Sequence, residues 1–126
     1  MQIGGTFMQA TMKRVISIHE YQLKNGVSSA QFESAVEDAR KRKLFNLPGL
    51  IGYHFLRRIR GTRKVEYTAI WIYKDRDVWE KLWGKADNSV KKENFPEKWK
   101  IWEDEILAPL LTQDPDHIQY AAYEEF

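Results

Sequence analysis

The sequence predicts an α+β domain in which a four-stranded antiparallel sheet carries its helices on one face. Three observations carry this expectation. Residues from Pro48 to Trp83 read as an antiparallel hairpin running straight into a helix. A strand and a capped helix precede that stretch. A longer helical stripe and a final strand follow it.

Arg14 to Leu23 alternates and is rich in β-branched and aromatic residues (Val15, Ile16, Ile18, Tyr21), a strand of period two. Asn25-Gly26 ends it. Ser28 then opens a helix, with Gln31 three residues on as a capping box and Val27 placed to staple onto Phe32. Phe32, Ala35, Val36 and Ala39 give that helix one apolar face. Its basic end, Arg40 to Lys43, suits a helix C-terminus, and Pro48 bars continuation. Leu50 to Arg60 is the first hairpin strand, Gly61-Thr62 the turn, and Val65 to Tyr73 the return strand.

A second helix runs from Asp75 to Trp83. Asp77 caps it with Glu80 three residues on, and Val78/Leu82 and Trp79/Trp83 pair at i, i+4. Lys85 to Glu93 reads as a loop. Asn94 with Glu97 forms another capping box, and Phe95, Trp99, Trp102, Ile106 and Leu110 make a helical stripe that Pro109 kinks or ends. Asp114-Pro115-Asp116 is a turn into a last strand, His117 to Phe126. The order strand, helix, strand, strand, helix, strand, with an extra helix before the last strand, is the split βαβ pattern of the ferredoxin-like fold.

At 126 residues the chain fits one domain, placed at residues 14–126 behind a flexible leader at residues 1–13. A chain of this length buries roughly two-thirds of its unfolded surface. The net charge of +2 supplies no global field to attract nucleic acid or acidic membrane. There is no Cys, which excludes disulfides, thiolate metal sites and a Cys nucleophile. No apolar run approaches the ~20 residues of a membrane span, and Met1 to Met12 lacks the basic and apolar regions of a signal peptide. A soluble cytoplasmic protein is the expectation. Aromatics are plentiful, with five Trp, six Tyr and six Phe, enough for a dense core, a lined pocket or an interface.

Sorting strand residues by parity gives two faces. One set holds Ile16, Ile18, Ile51, Phe55, Ile70, Ile72 and Ala121 and is expected under the helices. The other holds Ser17, His19, Tyr21, Gly52, His54, Leu56, Arg58, Tyr67, Ala69, Trp71, Tyr73, Tyr120 and Ala122. Rings left bare on that second face would form an apolar patch, and a second copy of the sheet is the economical cover.

The run from Pro48-Gly49-Leu50-Ile51-Gly52-Tyr53 through Ala69-Ile70-Trp71 to Lys74-Asp75-Arg76-Asp77-Val78-Trp79-Glu80 resembles the dimeric α/β-barrel superfamily. Within it, the stretch is similar to the antibiotic-biosynthesis-monooxygenase-like branch. The match covers Arg14 to Trp83, while the third helix is longer than the family pattern. The resemblance implies a homodimer whose sheets pack into a barrel, with a small-molecule cavity between sheet and helices or in the lumen. For an enzyme it implies cofactor-independent oxygenation or isomerisation, in which a base deprotonates an activated substrate. Haem-degrading members use a helical His, and no His here falls on an expected helix, so no cofactor is expected.

Among the residues themselves, His19 and His54 are the candidate catalytic groups, because an imidazole near a phenol can act as a general base. The candidate ligand-binding residues are Tyr21, His54, Arg58, Tyr67, Trp71 and Tyr120, with Arg58 suited to a ligand carboxylate. The expected ligand is a small apolar or aromatic molecule. No tight His/carboxylate spacing points to a metal, and no nucleophile elbow or phosphate loop occurs. Arg57, Arg58, Arg60, Arg63 and Lys64 crowd the hairpin tip, and an RNA-binding module on an open sheet would share this element order. The segment Arg63 to Ile70 lacks the matching aromatic motif, so no nucleic acid is expected. A third reading is an interaction domain with no small-molecule site.

Overall fold

The computed structural model describes residues 13–126. Of the expected leader, all but Lys13 lies outside the described residues. Strand β1 (Val15–Tyr21) leads to helix α1 (Ser29–Lys41), the hairpin strands β2 (Leu50–Arg57) and β3 (Tyr67–Tyr73), and helix α2 (Arg76–Trp83). A two-residue ribbon pairs Gly84–Lys85 with Asn88–Ser89. Helix α3 begins as an α-turn (Glu97–Lys100), widens into π-helix (Ile101–Leu107) and tightens to 3-10 (Ala108–Leu110). Strand β4 (Tyr120–Glu124) closes the chain. The sheet order is β2-β3-β1-β4, all antiparallel, as the split βαβ order requires.

Local chemistry explains the elements. Ser28 and Gln31 form the reciprocal capping box of α1: the Ser28 hydroxyl accepts from the Gln31 N–H at 3.1 Å, and the Gln31 side chain accepts from the Ser28 N–H at 2.7 Å. Helix α2 is capped by Asp75, which accepts from the Val78 N–H at 2.9 Å, and not by Asp77 as the sequence suggested. Asp75 follows the strand end immediately and is extended, as a cap requires. Asn94 caps nothing either. The chain turns 3-10 at Lys92–Asn94 and Pro96 precedes the helix without a side-chain cap.

Two expectations about the sheet are corrected. Pairing of Ile16 with Ile72, Ile18 with Ile70 and His19 with Ala69 and Tyr120 keeps the parity sets of β1, β3 and β4 intact. In β2, however, a register shift between Leu50 and Gly52 leaves Ile51 unpaired, so Gly52, His54 and Leu56 align with Ile72, Ile70 and Thr68. The His54 and Leu56 side chains therefore share the isoleucine face, and Phe55, opposite Ala69, joins the ring-bearing one.

The second correction concerns which face the helices cover. Tyr21, Tyr67, Ala69, Trp71 and Tyr73 are buried beneath the helices, together with Phe32, Phe45, Trp99 and Trp102 from the helical layer. Among the described residues nothing covers the isoleucine face. Rings bury more apolar area per residue than aliphatics, so the most aromatic strand face gains most from the helical cover. The helices bring rings of their own to meet it. Phe45 lies edge-on to Trp71 at 5.1 Å and to Trp102 at 4.9 Å, Trp71 meets Trp99 at 4.9 Å, and Phe32 stacks on Tyr67 at 4.3 Å. Among the described residues no helix is long and apolar enough to cross a membrane.

Candidate functional site

The helical layer does not seal the sheet completely. A cavity of about 410 Å³ opens between β1, β4, α2 and α3. Its floor is Ser17, His19, Tyr120 and Ala122, placed on one face by the two-residue repeat of β1 and β4. One wall is Trp79 and Trp83, one turn apart on α2. The other is Trp99 and Glu103 on α3, and Phe95 stands at the loop end.

The wall residues are held firmly. The Trp83 indole N–H donates to the Tyr73 hydroxyl at 3.1 Å. Gly84, at φ +87, stops α2 and lets the ribbon fold back, with Val90 N–H donating to the Trp83 carbonyl at 3.0 Å. Lys92 bridges Asp104 at 2.7 Å and Asp116 at 3.0 Å, which ties α3 to the turn that precedes β4.

His19 is ringed by aromatics: Tyr21, Trp71, Trp99 and Tyr120 lie with centroids 5.9–6.5 Å from its own. The Ser17 hydroxyl is 3.1 Å from its Nε2. Burial among these rings pulls its pKa down to about 4, so the imidazole is neutral at pH 7. Burial likewise pushes Tyr73 well above the ordinary phenol value.

Glu103 is the group the sequence reading passed over. It is only 6% exposed, its Oε1 has no hydrogen-bond partner among the described residues, and burial pushes its pKa up to about 8, with the Asp116 charge adding to the shift. The cause of its position is the π-segment, in which the Ala108 N–H reaches back to the Glu103 carbonyl. The wider turn moves the buried row from the expected Ile106 and Leu110 to Leu107 and Leu111. Trp99, Glu103, Leu107 and Leu111 then form one i, i+4 row. A single acid in an otherwise apolar row is the signal that could have found it.

Of the residues anticipated from the sequence, His19 and Tyr120 come together in the cavity, their ring centroids 5.9 Å apart. Tyr21 and Trp71 lie in the fully buried layer directly against His19. Tyr67 is buried toward α1, where its hydroxyl donates to the Glu33 carboxylate. His54 is exposed on the isoleucine face, on the opposite side of the sheet from the cavity. Arg58 lies beyond the end of β2, donating to the Arg63 carbonyl. Neither His54 nor Arg58 lines the cavity. Among the described residues no group of three or more His, Asp or Glu side chains is placed to hold a metal ion.

These observations define a ferredoxin-like domain with a ring-lined cavity between sheet and helices. Solved structures share the fold over nearly the whole chain. A DABB family protein from Mesorhizobium loti superposes with a TM-score of 0.57 at 13% identity, covering 90% of this chain and 96% of that one. SnoaB, a cofactor-independent oxygenase from Streptomyces nogalater, gives 0.57 at 14% identity, covering 90% and 94%. A putative antibiotic biosynthesis monooxygenase from Bordetella bronchiseptica gives 0.58 at 16% identity, covering 90% and 97%. Further ferredoxin-like chains of this group are described as dimeric. The likeness is one of fold, and it agrees with the resemblance read from Pro48 to Glu80. No protein-family model and no curated protein matches the chain by sequence.

Proposed function

We propose that the chain forms a homodimeric α/β barrel that holds a small apolar or aromatic molecule in the cavity between β1, β4 and α3. Its expected compartment is the cytoplasm. The observation that carries this reading is the cavity itself: ring-lined walls surround a few polar groups, the composition that small-molecule sites share. Its size suits a ligand of one to three fused rings, and Trp79, Trp83 and Trp99 supply flat contact area. The dimer part rests on the uncovered isoleucine face and on the dimeric fold neighbours.

A second reading, cofactor-independent oxygenation or isomerisation, is favoured by one observation. His19 is a neutral imidazole facing the cavity, in the protonation state a general base needs. The RNA-binding reading needed stacking rings on the open face. Those rings lie under the helices, and the open face presents chiefly isoleucines.

The test is to purify the protein, identify co-purified small molecules by mass spectrometry, and follow probe binding by tryptophan fluorescence. Aromatic probes should quench the wall tryptophans, and His19→Ala should weaken binding about tenfold. Absence of any bound molecule together with no quenching by a panel of one- to three-ring aromatics would reject the cavity as a binding site.

A further inference from the structure

Resting on the cavity reading above, we infer that the Glu103 carboxyl acts as a hydrogen-bond donor to an oxygen of the ligand, and that the ligand is therefore a neutral aromatic carbonyl compound and not a carboxylate. Glu103 lines the cavity and is more than nine-tenths buried, and its Oε1 has no hydrogen-bond partner among the described residues. A buried carboxyl with an unpaired oxygen is costly, and the cavity is where a hydrogen-bond partner for the group can enter.

The groups that face Glu103 decide its protonation. From its own helix come Asp104 and the Trp99 indole. From the turn before β4 comes Asp116, from the 3-10 turn Lys92, and from the sheet Tyr21 and Tyr73. Lys92, the cation among them, is already committed to Asp104 and Asp116. Two acids and one engaged lysine leave no counter-charge for a buried carboxylate. The neutral acid follows, in keeping with a pKa of about 8. A protonated carboxyl carries one O–H donor, and His19, also neutral, leaves the cavity with no cation on its floor. Lys85, the lysine of the lining, stands exposed to solvent on the ribbon. Beside Glu103 and the floor an incoming carboxylate would meet an acid and an uncharged imidazole, whereas a ketone oxygen would meet a donor.

Tryptophan fluorescence titrations with 2-acetylnaphthalene, 2-naphthoate and naphthalene test this directly. At about pH 6.5 the ketone should bind about tenfold tighter than the naphthoate, and tighter than naphthalene. Raising the pH to about 9.5 should weaken ketone binding at least about fivefold, with naphthalene unaffected. Glu103→Gln retains an N–H donor, so its ketone affinity should stay within about threefold at pH 6.5 and lose its pH dependence.

If naphthoate binds as tightly as the ketone, or ketone affinity is flat with pH, the Glu103 assignment falls and the cavity reading survives on naphthalene binding. If the pH dependence persists in Glu103→Gln, the assignment falls as well. If none of the three probes quenches, both readings fail together. Near-UV circular dichroism verifies the variant's fold, and the wild-type pH profile stands without it.

Discussion

The Ser17 hydroxyl lies 3.1 Å from Nε2 of His19, two residues along the same face of β1, so the pair faces the cavity as a unit. The contact sets the tautomer: a Ser17 O–H donating to Nε2 leaves the ring proton on Nδ1, whereas an Nε2–H donating to Ser17 leaves Nδ1 as the free acceptor that a base requires. Four surrounding rings desolvate the imidazole, and its pKa falls to about 4. Between that value and the unfolded value of 6.5, the unfolded chain holds the extra proton. Stability therefore falls as pH drops through this window, by at most about 3 kcal/mol and by less to the extent that water enters the cavity. Histidine-detected NMR should show the His19 ring titrating near pH 4. A midpoint at pH 6 or above would mean that the imidazole is solvated.

Glu103 works in the opposite sense. Its folded pKa of about 8 exceeds the ordinary 4.5, so between these values the folded chain holds the extra proton and stability falls as pH rises. Glu103→Gln should be within about 1 kcal/mol of wild type at pH 5 and more stable than it by about 1–3 kcal/mol at pH 8. Urea denaturation at the two pH values measures both differences. Equal stabilities at pH 8 would show that the folded chain bears the charge without cost.

Much of the fold was legible because its signals are local. The Ser28–Gln31 box, the alternation of β1 and β3, and the Pro48-Gly49 entry to the hairpin each act within a few residues. What was not legible depends on partners far along the chain. The one-residue shift at Ile51 re-faces His54 and Leu56, and its local mark within β2 is slight, the interior glycine Gly52. The choice of covered face turned on rings contributed by Phe45, Trp99 and Trp102, which the strand sequences do not contain. The π-turn that presents Glu103 is a widening of α3 that a constant 3.6-residue period cannot express. His19 and Tyr120 could be placed on one face from parity alone, because β1 and β4 pair without irregularity.

Gly49 gives a physical reason for the Pro-Gly at the hairpin entrance. Its φ is +85, and a Cβ there would lie 2.5 Å from the Cβ of Val78 on α2. The Gly49 carbonyl also accepts from the Lys74 N–H at 2.8 Å, just before the Asp75 cap. One residue thus joins the start of β2 to the start of α2. Gly49→Ala combines a strained backbone with a clash against a branched side chain, and should destabilise the protein by about 2–4 kcal/mol. Gly26→Ala, at φ +88 with nothing within 4 Å, should cost only about 1 kcal/mol. Thermal melts of the two variants side by side separate the backbone term from the packing term. Equal losses would show that α2 simply moves aside.

The bare face of the sheet sets the final prediction. Ile51 and Tyr123 are each 58% exposed and Leu56 is 46% exposed, and Ile16, Ile18, Ile70 and Ile72 lie half-buried on the same surface, with no covering layer among the described residues. An apolar sheet face of this kind is self-complementary about a two-fold axis, and a stable dimer needs about 800 Å² per partner. The wild-type chain should sediment as a dimer at micromolar concentration. Leu56→Lys with Tyr123→Lys would place four cations in the shared interface, counting both subunits, and should weaken the dimer at least about a hundredfold. The side chains concerned make little contact with the buried core, so the variant should keep the circular dichroism of the folded chain. A wild-type monomer across the whole micromolar range, or a dimer indifferent to both lysines, would place the subunit contact somewhere other than this face.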